Sequence, residues 1–186
     1  MKKPQNKRII CFIGLPCSGK SHAAKLISTK NNGTYISTGD IARSLTTRQQ
    51  WTETEQYDLC PLEKELRSEL TKQIEQAPTN LIIIDGFPRS SEQVQFLLDQ
   101  YWIYLPEIIE INAGDMRTIM ARAWFRARDN RDSDLKQFER RIQLASKNLS
   151  KIYTILRQKL IRTHTIISAA DDVIIKQFDK IIGLPK

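Results

Sequence analysis

The sequence predicts an α/β fold in which helices cover both faces of a doubly wound, five-stranded parallel sheet. Short apolar segments of strand length recur along the 186 residues, and segments of helical length separate them. Two of the apolar segments, residues 9–13 and 81–84, are continuous rather than alternating, which is typical of strands buried on both faces. Connections of helical length between such strands indicate parallel crossovers. These observations together predict a parallel sheet between two layers of helices.

Hydrophobic periodicity and stop signals place the individual elements. Strands are predicted at residues 9–13, 34–36, 81–85, 108–111 and 165–167. Helices are predicted at residues 21–30, 40–45, from 61 to a break at 76–80, at 90–100, from about 115, in a long segment containing 138–156, and at 171–182. The helix after Asp115 has Met116, Ile119, Met120, Ala123 and Trp124 on one side, which predicts an apolar face. Residues 46–58 are polar without a clear period, so we expect them to be exposed.

Length and composition indicate one globular domain: 40% of the residues are hydrophobic and 27% are charged. No apolar run has membrane-spanning length, and the basic N-terminus leads directly into a short strand, so we expect a cytoplasmic protein without a membrane partner. Cysteines at 11, 17 and 60 are odd in number and lack C-x-x-C spacing, which argues against disulfides and zinc. The net charge of +8 fits a nucleic-acid surface, a site for several phosphates or a basic exterior.

A phosphate-binding motif follows the first strand. Residues 14–21 read G-L-P-C-S-G-K-S and satisfy G-x-x-x-x-G-K-[ST]. The glycines let successive backbone N–H groups turn toward an anion, and Lys20 adds a full positive charge. Ser21 opens a helix and offers its hydroxyl to Mg²⁺. Because a strand precedes the motif and a helix follows it, we interpret it as a site for a nucleoside triphosphate rather than as an ordinary glycine turn.

Two further motifs follow the second and third predicted strands. Asp85 ends a buried strand, where a carboxylate can help the motif serine to hold Mg²⁺, and G-F-P-R follows at residues 86–89. S-T-G-D-I-A-R occupies residues 37–43. In this order, the two stretches resemble those of adenylate kinases and related nucleoside monophosphate kinases. The segments 140–153 and 165–181 also resemble the last two helices and the last strand of that family.

The resemblance implies that the chain moves the γ-phosphoryl group of ATP onto the phosphate of a nucleoside monophosphate, with Mg²⁺ as cofactor and AMP as the first expectation for the acceptor. The attacking phosphate oxygen is already anionic near neutral pH, so no general base is required. The protein has to neutralise two polyanions, align them and exclude water. Arginine and lysine suit this task because they bind phosphate oxygens strongly.

The resemblance also assigns residues to the acceptor. Thr38 and Arg43 would contact the monophosphate, Arg43 at its phosphate, and Arg89 would hold the same phosphate. Gln93 would read the edge of the purine base. The family's domain plan implies one kinase domain over residues 1–186, in which residues 38–77 form the segment that binds the monophosphate.

On the donor side, the implied ATP cradle consists of Gly14, Pro16, Cys17, Ser18, Gly19, Lys20 and Ser21. Lys20 would contact the β and γ phosphates, Arg122 would lie over the adenine, and Ser21 and Asp85 would hold the metal. Arg126, Arg131 and one arginine of the pair 140–141 would close over the transferred group. We favour Arg141, because it precedes Ile142 as the family's arginine precedes an aliphatic residue. Residues 126–134 would form a short lid.

Simpler explanations exist for several of these residues. Gln93 lies three positions after Ser90 and could complete a helix-capping box. Thr38 and Asp40 could cap the next helix, and Arg43 could be a surface residue. The charged run at 126–134 could be a solvated loop.

The sequence also departs from the family pattern. Cys17 replaces a usual glycine, Ser21-His22 replaces Gly-Thr, and the segment between Asp40 and Asp85 is shorter than usual. The short lid has no cysteine cluster, so no structural zinc is expected. The alternatives are therefore the same chemistry on UMP, CMP or a deoxynucleotide, or a nucleotide-binding module with reduced catalysis. Nucleotides are the expected partners, nucleic acid is the less favoured one, and a monomer is the default.

Overall fold

The computed structural model describes residues 7–45, 63–101, 104, 106–127 and 135–183. The strands are β1 (Arg8–Ile13), β2 (Thr34–Ser37), β3 (Leu81–Asp85), β4 (Glu107–Asn112) and β5 (Thr163–Ile167). The helices are α1 (Lys20–Lys30), α2 (Thr38–Leu45), α3 (Glu63–Gln76), α4 (Ser91–Tyr101), α5 (Met116–Ala127), α6 (Leu135–Gln158) and α7 (Asp171–Ile182). Within these ranges, no helix has both the length and the apolar character needed to cross a membrane.

The five strands form one sheet in the order β2-β3-β1-β4-β5, and every neighbouring pair is parallel. The predicted fold class is therefore confirmed. β1 lies in the centre, with β3 on one side and β4 on the other. From β1 the chain crosses to β2 at one edge of the sheet, then returns through β3 and continues past β1 to β4 and β5, so the switch point lies at the carboxyl end of β1.

The sheet is buried on both faces because each central strand supplies apolar residues to two hydrophobic clusters. In β1, Ile9, Cys11 and Ile13 belong to one cluster, and Ile10 and Phe12 belong to the other. The first cluster is completed by residues of α2, α3, α4 and α6, and the second by residues of α1 and α7. This arrangement explains why the strands read as continuous apolar runs rather than as alternating ones.

Several element boundaries differ from the predicted ones by a few residues. α5 begins at Met116 because the Asp115 carboxylate accepts a hydrogen bond from the backbone N–H of Thr118 at 2.7 Å, which caps the helix. α2 begins at Thr38 rather than at residue 40. The start of α3 that the sequence predicted at Pro61, and the polar segment 46–58, lie outside the described residues.

The apolar face predicted for α5 is only partly correct. Ile119 and Ala123 are buried against Phe138 and Ile142 of α6, as expected. Met116 and Trp124 are instead 48% and 69% exposed. The buried contact is confined to the middle of the helix face, and periodicity alone does not show how far along a helix its neighbour extends.

Candidate active site

The three motifs meet at one edge of the sheet because their strands are parallel and in register. Asp85, at the end of β3, aligns with Phe12 of β1 on one side and with Ser37 of β2 on the other. The phosphate-binding loop follows β1, and the S-T-G-D-I-A-R stretch begins at the end of β2. Ligands of open parallel sheets bind at this carboxyl edge.

The loop after β1 has the geometry of an anion site. α1 begins at Lys20, so the first N–H groups of the helix have no carbonyl partner within the helix and can bind an anion. The Lys20 ammonium donates a hydrogen bond to the Leu15 carbonyl at 2.6 Å and therefore lies against the loop. The Ser18 hydroxyl is buried and has no hydrogen-bond partner among the described residues. A phosphate oxygen at this position would satisfy it.

Cys17 has a φ of +58°. This is a left-handed conformation that glycine adopts without cost, which gives a physical reason why the family has a glycine there. The thiol is buried and packs in the cluster that contains Ile119 and Phe138. The loop therefore accommodates the larger side chain by burying it in this cluster.

Arg122, on α5, contacts the same loop from the other side. Its Nη1 donates to the Ser18 carbonyl at 3.0 Å and to the Cys17 carbonyl at 3.4 Å. The guanidinium group thus lies next to the phosphate loop.

Arg89 is held in place by the turn that precedes it. Its Nε donates to the Gly86 carbonyl at 2.6 Å. The buried Thr38 hydroxyl lies 3.0 Å and 2.9 Å from the carbonyls of Asp85 and Gly86, so it joins α2 to the same turn. The side chain of Thr38 therefore supports the turn.

Arg43 forms an ion pair with Asp40, one turn earlier on α2. Desolvation raises the pKa of Asp40, but hydrogen bonds from Arg43 and Ser37 outweigh it, so the net shift is downward. The Ser37 hydroxyl accepts the backbone N–H of Asp40 at 3.1 Å and caps α2. Ser37, rather than Thr38, therefore caps the helix, and Asp40 lies in its first turn next to that cap.

Gln93 is buried in the capping box that the sequence left open as an alternative. Its backbone N–H donates to the Ser90 hydroxyl at 3.2 Å, and its Oε1 accepts the backbone N–H of Arg89 at 2.7 Å. Its Nε2 donates to Glu63 on α3 at 3.0 Å. Both ends of the amide are thus engaged within the fold.

The loop, the carboxylate and three of the arginines line one cavity of about 430 Å³. The candidate residues that line it are Gly14, Pro16, Cys17, Lys20, Ser21, Arg43, Asp85, Arg89 and Arg141. Arg141 reaches the cavity from α6, whose residues Leu144, Asn148 and Ile152 also line it. Thr38, Arg122 and Gln93 are not among its lining residues. Arg131 and the side chain of Arg126 lie outside the described residues.

Comparison with known proteins identifies the family. A family model described as an AAA domain matches residues 13–139. The adenylate kinase of Helicobacter pylori strain HPAG1 is 32% identical to this chain, over 82% of the chain and 85% of the relative. The adenylate kinases of Campylobacter lari and Nautilia profundicola are 32% and 30% identical, in both cases over 78% of the chain and 81% of the relative. The chain belongs to the adenylate kinase family. It is a nucleotide-binding kinase of the phosphate-loop class.

The metal that adenylate kinases use with ATP fits the residues of this site. Ser21 and Asp85, a hydroxyl and a carboxylate, line the same cavity. Within the described ranges, there is no group of three or more histidine, cysteine, aspartate or glutamate side chains that could hold a metal ion. A donor set of two oxygen ligands suits Mg²⁺, which keeps several waters and takes further oxygens from substrate phosphates.

Tyr35 and Lys25 are among the residues that line this adenylate kinase family site but were not predicted from the sequence. Tyr35, on β2, donates its hydroxyl to Oδ2 of Asp85 at 2.9 Å. Burial and the Asp85 carboxylate raise the pKa of Tyr35 well above its usual value, so this hydroxyl stays a donor. The Lys25 ammonium lies 5.5 Å from the centroid of the Tyr35 ring. The available signals were spacings: Lys25 follows Ser21 by one helical turn, and Tyr35 is two residues before Ser37 on the same strand face.

Proposed function

We propose that this protein transfers the γ-phosphoryl group of ATP to AMP in a Mg²⁺-dependent reaction that yields two diphosphates. One observation carries the proposal: Lys20 of the phosphate loop lines the same cavity as Arg43, Arg89 and Arg141. A site for ATP alone needs the loop, whereas cations from α2, α6 and the turn after β3 suit a second anionic substrate in the same space.

The reaction in this site needs no proton transfer. An anionic oxygen of the acceptor phosphate attacks the γ phosphorus, and the bond from that phosphorus to the β–γ bridging oxygen breaks, so that ADP leaves with the electron pair. Negative charge is spread over the transferred group throughout. The contribution of the protein is to hold both phosphates in line and to balance their charge.

In this proposal, the loop residues Gly14–Ser21 hold the donor, with Lys20 at its β and γ phosphates and Arg122 over the adenine. Arg43 and Arg89 hold the acceptor phosphate, and Arg141 contacts the transferred group. Arg126 and Arg131 would join it from residues 126–134, the proposed lid. Thr38 would lie beside the acceptor, which the segment 38–77 would enclose. We further propose that the protein works as a cytoplasmic monomer.

Mg²⁺, held by Ser21 and Asp85, would neutralise phosphate charge when it is bound with ATP. Asp85 is only 5% exposed and sits directly beside β1, so its carboxylate is fixed next to the phosphate loop. Ser21 lies in the first turn of α1, within the anion site itself.

A pyrimidine monophosphate is a second candidate acceptor. The observation that favours it concerns Gln93, which we propose as the reader of the purine edge. The Gln93 amide is bonded to Arg89 and Glu63 within the fold, and the residue does not line the cavity. To read a purine, Gln93 would have to exchange one of these bonds for a bond to the base.

The test is a screen of the purified protein with Mg-ATP against AMP, GMP, CMP, UMP and dTMP, with diphosphate formation as the readout. We expect AMP to be the best acceptor. Turnover of pyrimidines but not of AMP would assign the second acceptor, and tight ATP binding without any turnover would indicate a nucleotide-binding module.

We call Arg43 and Arg89, which we propose to hold the acceptor phosphate, the acceptor clamp. It is tested separately with Arg89→Ala. We expect a rate loss on the order of 10²-fold or more, because a bidentate cation at the acceptor phosphate is removed. Arg117→Ala, at an exposed position on α5 outside the cavity lining, is the matched control and should keep the wild-type rate. Near-normal turnover of Arg89→Ala would refute the assignment of this residue.

A further inference from the structure

Tyr35 makes a direct contact with the carboxylate that we assign to the metal. Its hydroxyl donates to Oδ2 of Asp85 at 2.9 Å, and both residues line the cavity. Tyr35 aligns with Ile83, and Ser37 aligns with Asp85, so Tyr35 lies on the strand next to β3, two residues before the position that pairs with Asp85. The three motifs alone do not indicate this contact, because Tyr35 lies outside all of them.

A carboxylate that helps to hold Mg²⁺ has to present an oxygen in a fixed direction, because Mg²⁺ demands near-ideal octahedral geometry. Asp85 is almost fully buried, and a hydrogen bond on Oδ2 fixes the rotation of its carboxylate plane. This leaves Oδ1 for the metal and its waters. The groups that hydrogen-bond to metal ligands commonly set metal affinity in this way.

Lys25 steadies the tyrosine in turn. Its ammonium lies over the face of the ring, at 5.5 Å from the centroid, an arrangement in which a cation is attracted to the ring face. The ring is therefore held between α1 and β3.

We propose that Tyr35 is a positioning residue for the metal site, which orients the Asp85 carboxylate toward the metal bound with ATP, and that Lys25 supports it by holding the ring. This inference rests on the proposed function, since it takes Asp85 as a metal-holding residue. It adds a residue outside the family motifs to the catalytic apparatus, and it predicts an effect on metal affinity that a merely structural tyrosine would not have.

The test uses Mn²⁺ in place of Mg²⁺, with a non-hydrolysable ATP analogue, so that binding is measured without turnover. Electron paramagnetic resonance gives the dissociation constant of Mn²⁺ from the complex of protein and analogue. We expect Tyr35→Phe to weaken Mn²⁺ binding about 10-fold, within the range for loss of a group that orients a metal ligand. In turnover assays the Mg²⁺ concentration for half-maximal rate should rise, while kcat at saturating Mg²⁺ should change little.

Tyr153→Phe is the matched control. Tyr153 also donates its hydroxyl to a partly buried carboxylate, that of Glu110, at 2.5 Å, but it does not line the cavity. Both variants should lose thermal stability, because each leaves a carboxylate without its donor. Only Tyr35→Phe should change Mn²⁺ affinity. Lys25→Met leaves the Tyr35 hydroxyl in place and should weaken Mn²⁺ binding by a smaller factor. This variant provides a second measurement if Tyr35→Phe folds poorly.

The outcomes separate the two proposals. Wild-type Mn²⁺ affinity in Tyr35→Phe, or an equal loss in Tyr153→Phe, would refute the positioning role and leave the proposed kinase function standing. Absence of nucleotide-dependent Mn²⁺ binding in the wild-type protein would refute both. If only Tyr35→Phe loses Mn²⁺ affinity, and the wild-type protein phosphorylates no nucleotide, the positioning role would be supported and the proposed reaction refuted.

Discussion

Gly86→Ala is a sensitive test of the acceptor clamp, because it changes one backbone position without removing any proposed ligand. Gly86 has a φ of +78°, a conformation that L-residues rarely adopt. A Cβ added there would lie 2.6 Å from Nη2 of Arg89 and 3.3 Å from the Thr38 hydroxyl. An alanine would therefore strain the turn and at the same time displace the guanidinium group.

The two effects have different magnitudes. Backbone strain from the left-handed conformation should cost about 1–2 kcal/mol of stability, which lowers Tm by roughly 2–8 °C in a domain of this size. Moving the guanidinium out to ordinary contact, 3.4 Å or more, requires a shift of about 0.8 Å. That shift is inexpensive in energy, because the displaced atom is the far end of a flexible side chain. It should nevertheless cost up to about 10²-fold in rate, because phosphoryl transfer depends on alignment at this scale.

The assay is steady-state kinetics with each substrate varied in turn, together with thermal unfolding. We expect kcat/KM for the acceptor to fall by 10- to 10²-fold and the affinity for ATP to stay near that of the wild type. The control is Gly114→Ala, where φ is +88° but nothing lies within 4 Å of the added Cβ. It should show the stability loss without the kinetic defect. Equal kinetics in the two variants would refute the claim that Gly86 makes room for the clamp.

Three further predictions concern neighbouring groups. Gln93→Ala and Ser90→Ala should each lower the free energy of unfolding in urea by about 1 kcal/mol, because both break the capping box. Only Gln93→Ala should change the ratio of AMP to CMP turnover, and equal ratios in the two variants would contradict base reading by Gln93. Cys11, fully buried with a pKa raised by burial, should resist iodoacetamide in the native protein, as peptide mass spectrometry after labelling would show. Arg43→Ala should raise the pKa of Asp40, because the hydrogen bond and the charge of Arg43 both lower it; an unchanged value in a carboxyl NMR titration would contradict their pairing.

Much of the fold follows from local pattern because the sheet requires it. The run Ile82–Ile84 is continuous because successive side chains enter opposite apolar clusters, and that requirement is visible in the sequence. Trp124 shows where the hydrophobic pattern fails to predict burial. Its spacing matches that of buried residues on α5, but its burial depends on how far α6 extends along the helix, which is a tertiary property.

The site divides in a similar way. Lys20, Asp85 and Arg89 could be predicted because each belongs to a motif at a strand end, and the parallel register brings those ends together. Tyr35 was not predicted, because its spacing from Ser37 points to Asp85 only when the pairing of β2 with β3 is known. For Gln93 the sequence allowed two roles, and the hydrogen bonds establish the capping box while leaving base reading as a proposal.

In the proposed reaction, the position of Gly86 would allow one turn to serve both substrates. Its N–H donates to the Phe12 carbonyl at 2.9 Å, which ties the turn to β1 just before the phosphate loop. Its carbonyl accepts hydrogen bonds from Arg89 and Thr38, the residues that we propose to lie at the acceptor. The segments that we assign to the donor and to the acceptor are thus both hydrogen-bonded to one residue, Gly86. Because in-line transfer depends on the relative placement of the two phosphates, a rigid connection through a central strand preserves that placement better than two independent loops would.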